Sequence, residues 1–423
     1  MDKPTFTIKT LGCKVNQYEA QVLRESLVRL GFQESVASGA DVAIINSCTV
    51  TGKADSKTKR LIRKVKKDNP ETKIFVTGCY VVFDDDIETA QKMPEVYKIV
   101  PNESKMELPR ILGDLYGREG SRPREEEKVS GFDSHTRAFL KIQDGCDRKC
   151  SYCKVNLVRG PSRSKEKGKI IDELTQLVDS GYKEVVLTGI CLGSWKGEKG
   201  EGFSDLLSEV DALGGDFRIR LSSIEPDCID EGLIDFLAGS KRVCRHLHVP
   251  LQSGSDRILK LMNRKYDSAW FKEVIENLRA RMPFIGITMD VISGFPGEDD
   301  EDFRKTVNLI HEIRPGRIHV FGYSDRKGTR AFKMKDKVAS GEIKSRVSQL
   351  IDIGEKFRAE FCKKFVGKEV EVLVEERLKD MALAGYTGEY VRVKLKDLAG
   401  QVGDIVRVKA SHADQKSPTM LVL

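Results

Sequence analysis

Three thiols crowd into the run Gln143-Asp144-Gly145-Cys146-Asp147-Arg148-Lys149-Cys150-Ser151-Tyr152-Cys153, directly after the strand-like Ala138-Phe139-Leu140-Lys141-Ile142. Thiolates spaced this closely in a glycine-containing loop can converge on one metal centre, and thiolates hold iron–sulfur clusters. A four-iron cluster has four ligand positions, so three cysteines leave one iron open to a small molecule. A structural zinc site is the simpler alternative, but zinc usually closes with four protein ligands and no fourth Cys or His lies nearby in sequence.

A second set emerges from position rather than spacing. Cys13, Cys48 and Cys79 each fall two or three residues beyond a predicted strand: 5–10, 41–46 and 73–77. Helical patterns at 16–30 and 53–67 separate these strands, which predicts a parallel sheet with right-handed crossovers. Ligands of open α/β sheets bind beyond the carboxyl ends of the strands, so three distant cysteines are expected at one sheet edge. Following helix N-termini would favour thiolates there. Three buried structural cysteines are the plainer alternative.

With 423 residues, two or three domains are expected. The 39% hydrophobic and 32% charged content is that of a soluble globular chain. No apolar run approaches membrane-spanning length and no signal pattern opens the chain, so a cytoplasmic location and no membrane association are expected. There, ten cysteines are more often metal-binding or reduced than paired. A net charge of +7 permits nucleic-acid binding without requiring it.

The resulting division is residues 1–118, a charged linker 119–134, 135–365 and 366–423. In the central segment, strand patterns at 138–143, 184–188, 217–222, 245–250, 285–292 and 317–323 alternate with helical stretches such as 170–180 and 268–281. Six units are too few for an eight-fold closed barrel. Several strand ends carry glycine or polar residues suited to hydrogen-bonding a cofactor: Gly189, Ser223, Glu225, Gln252 and Ser293. His246 and His248 are assigned no metal. Cys191, Cys228, Cys244 and Cys362 share no ligand spacing and read as ordinary buried thiols. After a helical stretch over 344–365, strands at 368–375, 388–396, 404–410 and 419–423 predict a small β-barrel. Its alternation turns Arg392, Lys394, Lys396, Arg407 and Lys409 outward. The basic helix Lys57-Lys59-Arg60-Arg63-Lys64-Lys66-Lys67 is either a solvated face or a phosphate contact.

The C-x3-C-x2-C loop, with Tyr152 before its last cysteine, resembles the radical S-adenosylmethionine enzymes. Gly12-Cys13-Lys14-Val15-Asn16-Gln17, Asn46-Ser47-Cys48-Thr49-Val50-Thr51 and Thr77-Gly78-Cys79-Tyr80 resemble the three cysteine motifs of the methylthiotransferases within that group. The first is similar to the branch acting on threonylcarbamoyladenosine in tRNA. Arg159-Gly160-Pro161-Ser162-Arg163-Ser164 also matches the family run, whereas Lys154, Asn156 and Val82 depart from it. Residues 386–393 with 403–408 resemble the TRAM domain, an RNA-binding barrel.

The resemblance implies an α/β chain: an N-terminal flavodoxin-like parallel α/β domain, a central open six-unit β/α radical-SAM barrel and a C-terminal OB-like TRAM barrel. It implies two 4Fe-4S clusters, on Cys146, Cys150 and Cys153 and on Cys13, Cys48 and Cys79. S-adenosyl-L-methionine would bind at the first, beside Tyr152, Gly189, Ser223, Glu225, Gln252 and Ser293. The partners implied are tRNA, an external electron donor and a sulfur donor of unknown identity. The reaction implied is insertion of a methylthio group at C2 of N6-threonylcarbamoyladenosine next to the anticodon. Rival readings are methylthiolation of isopentenyladenosine or of a ribosomal-protein aspartate, and a non-catalytic metal-containing RNA-binding protein.

Overall fold

The computed structural model describes residues 3–35, 39–49, 52–82, 84–118, 128–132, 135–396, 400–413 and 420–422. Its first unit comprises β1 (Thr5–Thr10), α1 (Lys14–Arg29), β2 (Gln33–Glu34), β3 (Val42–Ser47), α2 (Gly52–Asp68), β4 (Lys73–Gly78), α3 (Asp84–Gln91), β5 (Val96–Ile99) and α4 (Leu108–Leu115). All strands run parallel in the order β2-β1-β3-β4-β5, the flavodoxin-like arrangement. Central β3 is buried along its whole length, which explains its unbroken apolar run. The edge strands β2 and β5 escape the sequence pattern because they are short and partly exposed.

Residues 128–132 are not a free tether. Val129 and Phe132 are buried in the core of the central unit, and the Val129 N–H donates to Glu173 Oε1 at 2.9 Å. The surrounding charge masks these two apolar anchors in a composition reading; the centre of the charged stretch, 119–127, lies outside the described residues.

The central unit follows as β6 (Ala138–Lys141), β7 (Gln143–Asp144), α5 (Val155–Arg159), β8 (Arg163–Ser164), α6 (Lys167–Asp179), β9 (Glu184–Thr188), α7 (Phe203–Ala212), β10 (Arg218–Leu221), α8 (Glu231–Gly239), β11 (His246–His248), α9 (Asp256–Leu261), α10 (Ser268–Arg281), β12 (Gly286–Ser293), α11 (Asp300–Ile313) and β13 (Arg317–Gly322). Parallel sheets β10-β9-β6 and β11-β12-β13 are joined by parallel bridges Ile219–Val243 and Ser223–His248. The six strands therefore form one open barrel in the order β6-β9-β10-β11-β12-β13. Helix α12 (Ser340–Lys363) packs Leu350 and Phe357 into the same core.

The last unit contains β14 (Glu369–Arg377), β15 (Leu383–Thr387), β16 (Arg392–Leu395), β17 (Ile405–Lys409), β18 (His412–Ala413) and β19 (Met420–Val422), ordered β17-β14-β15-β16-β19-β18. The single strand expected over 388–396 begins only at Arg392. A turn at Thr387–Val391, with Tyr390 at φ 70°, breaks the pattern first.

That turn docks on the floor of the open barrel. Arg218 donates to the carbonyl of Tyr386, and Arg220 to those of Thr387 and Gly388, each at 3.0 Å. Tyr390 stacks on His246 at 4.7 Å between centroids, and Tyr386 stacks on Tyr390. Fully buried Glu184 anchors Arg137, Arg218 and Arg220 beneath them. Burial opposes its charge, but Arg220, Arg137 and Arg218 outweigh that cost and hold the carboxyl well below the usual carboxylate range. Its contribution to stability is thus present above the ordinary carboxylate pKa and is lost as the pH falls below it. Replacing Glu184 with alanine leaves Arg218 and Arg220 without a counter-ion, while Arg137 keeps its pair with Glu375, and is expected to cost about 3–5 kcal/mol in denaturant unfolding. Parental stability in that variant would refute the anchoring role.

Candidate active site

Cys13, Cys48 and Cys79 lie past the carboxyl ends of β1, β3 and β4, which are adjacent in the sheet. Cys13 is the N-cap of α1 and is exposed, whereas Cys48 and Cys79 are buried. Gly12, at φ 110°, lets the first loop approach the second: a Cβ there would meet Cys48 Cβ at 2.8 Å. The Cys79 N–H donates to the Ser47 carbonyl at 3.1 Å. Asn16 donates to the carbonyls of Leu11 and Ser47, tying two of the cysteine loops to α1. Burial pushes the Cys79 thiol up, while the cations Arg159 and Lys105 act against it.

The second group sits on the loop between β7 and α5. Gly145 adopts φ 71°, and a Cβ there would strike the Pro161 carbonyl oxygen at 1.9 Å, so any other residue displaces the cysteine that follows. The loop is clamped to the end of α9: the Ser151 N–H donates to the Met262 carbonyl at 3.0 Å and Asn263 donates to the Lys149 carbonyl at 2.8 Å. Arg264 donates to Cys150 Sγ at 3.3 Å and pairs closely with Glu225. Burial raises Cys153 to about 11. Tyr152 packs edge-on against Phe295.

A buried ionic network joins the two groups. Arg159, six residues after Cys153, donates to Glu19 Oε1 and to Asp144 Oδ1, each at 2.9 Å, and to Asn16 Oδ1 at 2.5 Å. Lys105 pairs with Glu19 at 2.6 Å. Burial raises the Glu19 carboxyl, but Lys105, Arg159 and Lys141 prevail and hold it well below its ordinary value. Asn16 and Glu19 belong to the helix that begins after Cys13, so the network sets one cysteine group against the other.

The strand-end residues have unequal surroundings. Burial raises the Glu225 carboxyl against the pull of Arg264 and Arg148. Gln252 holds φ 66°, a conformation rare for a residue with a side chain and concentrated at functional sites. The Ser293 hydroxyl is buried without a hydrogen-bond partner, as is that of Ser222. Ser222 lies on the alternation face of Arg218 and Arg220, whereas Ser223 makes the backbone bridge to His248. Gly189 lies against the Gln143 side chain.

Two thiols read from sequence as ordinary, Cys191 and Cys228, belong to this site. Cys191 lies close to both Cys146 and Cys228, and this interaction raises the Cys146 thiol and lowers that of Cys191. Arg148 donates to Cys228 Sγ at 3.3 Å and to Asp227 at 2.8 Å. They lie 45 and 82 residues beyond Cys146, so no spacing rule could have found them. Cys244, by contrast, lies beside Glu184 at the barrel floor, and Cys362 is buried in the C-terminal core. Arg264 carried no motif signal.

The donor chemistry fits iron–sulfur clusters. Among the described residues no three His, Cys, Asp or Glu side chains are arranged to close on one metal ion. A four-iron cube meets each thiolate through a different iron and needs no such convergence. The partnerless hydroxyls of Ser222 and Ser293 are each worth about 1–3 kcal/mol to satisfy, which suits a polar cofactor.

An open six-strand β/α barrel with a three-cysteine loop at its strand ends is the architecture of a radical S-adenosylmethionine enzyme. The Radical SAM superfamily matches residues 140–310, the Uncharacterized protein family UPF0004 residues 5–100, and the TRAM domain residues 363–417. In fold the chain is similar to the radical S-adenosylmethionine methyltransferase TsrM from Kitasatospora setae, solved with cobalamin and a [4Fe-4S] cluster. The TM-score is 0.55 at 13% identity, over 78% of this chain and 74% of that one. It is 36% identical to the threonylcarbamoyladenosine tRNA methylthiotransferase MtaB of Thermotoga maritima, over 92% of this chain and 90% of the relative. Identity to the Bacillus subtilis protein of the same name is 37%, over 93% and 90%. It is 34% to the tRNA-2-methylthio-N(6)-dimethylallyladenosine synthase of Carboxydothermus hydrogenoformans, over 92% of each. The chain belongs to the tRNA methylthiotransferases of the radical SAM superfamily.

Proposed function

We propose that the protein inserts a methylthio group at C2 of N6-threonylcarbamoyladenosine beside the tRNA anticodon, in the cytoplasm. The observation that carries this reading is the placement of two three-thiol groups at strand ends of two separate sheets, tied through Arg159, Glu19 and Asn16. Cys146, Cys150 and Cys153 hold one 4Fe-4S cluster and S-adenosyl-L-methionine; Cys13, Cys48 and Cys79 hold the other. When bound, the two clusters supply what side chains cannot: one the electron that cleaves S-adenosylmethionine to a carbon-centred radical, the other an exchangeable position for sulfur. An aromatic C–H is too weakly acidic for the carboxylates and histidines of this barrel to deprotonate.

The chain's own residues bind and orient. Arg264 donates to Cys150 and pairs with Glu225 beside it. Tyr152, Gly189, Gln252, Ser223, Ser293 and the neighbouring Ser222 surround the cofactor. The threonylcarbamoyl substrate is favoured by the relatives so named at 36–38% identity. Arg392, Lys394, Lys396, Arg407 and Lys409 of the C-terminal barrel contribute RNA contacts. Electrons and sulfur come from external donors.

Mass spectrometry of tRNA nucleosides from cells lacking the protein tests the substrate. The methylthio derivative of threonylcarbamoyladenosine is expected to vanish and its unmodified precursor to accumulate. Loss of the methylthio derivative of isopentenyladenosine instead would reassign the substrate.

A further inference from the structure

We propose that the outer face of α2 is a docking surface for the tRNA phosphate backbone and supplies most of the electrostatic part of binding. This rests on the reading above that the substrate is tRNA. Lys57, Arg60, Arg63, Lys64 and Lys67 are all exposed on α2. At 3.6 residues per turn they fall within an arc of roughly 120°, and the stripe from Lys57 to Lys67 is about 15 Å long. Among the described residues none of these five side chains has a hydrogen-bond or ion-pair partner. Arg60 with Lys64, and Arg63 with Lys67, are like-charge neighbours one helical turn apart, an arrangement that weakens an isolated helix. A polyanion lying along the stripe turns that repulsion into attraction.

The cations of the C-terminal barrel are spent differently. Arg392 pairs with Glu376 at 2.6 Å, Lys394 with Asp380 at 2.5 Å and Arg407 with Glu371 at 2.7 Å. Strands β16 and β17 are also separated in the sheet by β14 and β15. Tyr386, opposite Arg392 in register, is covered by Arg137 of the open barrel. An RNA strand must displace acids at those three positions and finds only Lys396 and Lys409 unpaired among the described residues, whereas on α2 it meets five free cations.

The location of α2 also fits. Its buried side carries Ile62 into the sheet core, with Leu61 and Val65 packed alongside. Its first turn is pinned to the loop after β13: the Gly52 N–H donates to Ser324 Oγ at 3.1 Å, and Arg326 donates to Thr49 Oγ1 and Asp55 Oδ2, each at 2.6 Å. Helix α2 starts four residues after Cys48, between the sheet edge and the barrel. Backbone phosphates seated on its face would lie at a fixed offset from both cysteine groups, and such contacts position a substrate without reading its sequence.

The test uses the full-length protein, a fluorescently labelled substrate tRNA and anisotropy titrations from 50 to 200 mM salt. In one variant Lys57, Arg60, Arg63, Lys64 and Lys67 are changed to Gln; in another Arg392, Lys394, Lys396, Arg407 and Lys409 are. The α2 variant is expected to bind at least about 30-fold more weakly at 50 mM salt. Its log–log salt slope should become shallower by about 0.7–0.9 for each phosphate no longer neutralised. The barrel variant should lose about threefold or less. Thermal unfolding and tRNA-independent cleavage of S-adenosylmethionine are expected to match the parent, and Arg60→Gln alone should give a smaller loss in the same direction. Parental affinity and slope in the α2 variant would overturn the proposal while leaving the tRNA reading intact. The same holds if that variant keeps its tRNA affinity but loses reduction by an acidic electron carrier, which would assign the face to a protein. Failure of the parent itself to bind tRNA would overturn both.

Discussion

Replacing Cys146, Cys150 and Cys153 together with alanine is expected to halve the iron of the anaerobically reconstituted protein, from about eight to about four per chain. Production of 5′-deoxyadenosine from S-adenosylmethionine should fall below detection. The fold should survive, because the loop is held by backbone bonds from Ser151 to Met262 and from Ala331 to Ser151, and by Asn263, rather than by the thiols. All three must be changed. Cys191 lies close to Cys146, so a lone Cys146→Ala leaves another thiol near the vacated position. Iron content and 5′-deoxyadenosine yield are the measurements. Cofactor cleavage persisting in the triple variant would remove these cysteines from the radical site.

Replacing Cys13, Cys48 and Cys79 together is expected to separate the two halves of the reaction. Iron again falls by about half, and methylthio insertion into tRNA is lost, but 5′-deoxyadenosine formation continues because the other loop is untouched. Two of these thiols are buried, so their removal also costs packing, and thermal unfolding beside the parent checks that the loss is not one of folding. The coupling between the halves runs through Arg159, which touches Glu19 and Asn16 on α1 and Asp144 before the radical loop. Cleavage lost in step with insertion, in a variant that melts like the parent, would mean that the two cysteine groups form one functional unit.

Much of this was legible in the residues. Cys146, Cys150 and Cys153 are close in sequence, so their proximity is guaranteed by chain length alone. Cys13, Cys48 and Cys79 are distant, yet each follows a strand, and parallel topology carries strand ends to one edge. The alternation of short apolar strands with helical periods set the number of barrel units for the same reason, since period is a local property. The short edge strands β2 and β5 and the turn at Thr387–Val391 were not legible, because a few half-exposed residues carry too little pattern. Nor were the anchors Val129 and Phe132, which sit beside a charged run that dominates composition.

Where the six candidate cysteines stand, and which sheet edges present them, thus follows from the order of amino acids, because local periodicity and the handedness of parallel connections suffice for both. The neighbours of those residues are set by packing. Cys191 and Cys228 join Cys146 from strand ends far along the chain, and Glu184 gathers three arginines under the C-terminal turn. Arg392, Lys394 and Arg407 of that last barrel meet acids, whereas the exposed cations of α2 meet none among the described residues. Each of these outcomes depends on which surfaces come together, and the pairing or isolation of a charge is a property of its surroundings rather than of its own segment.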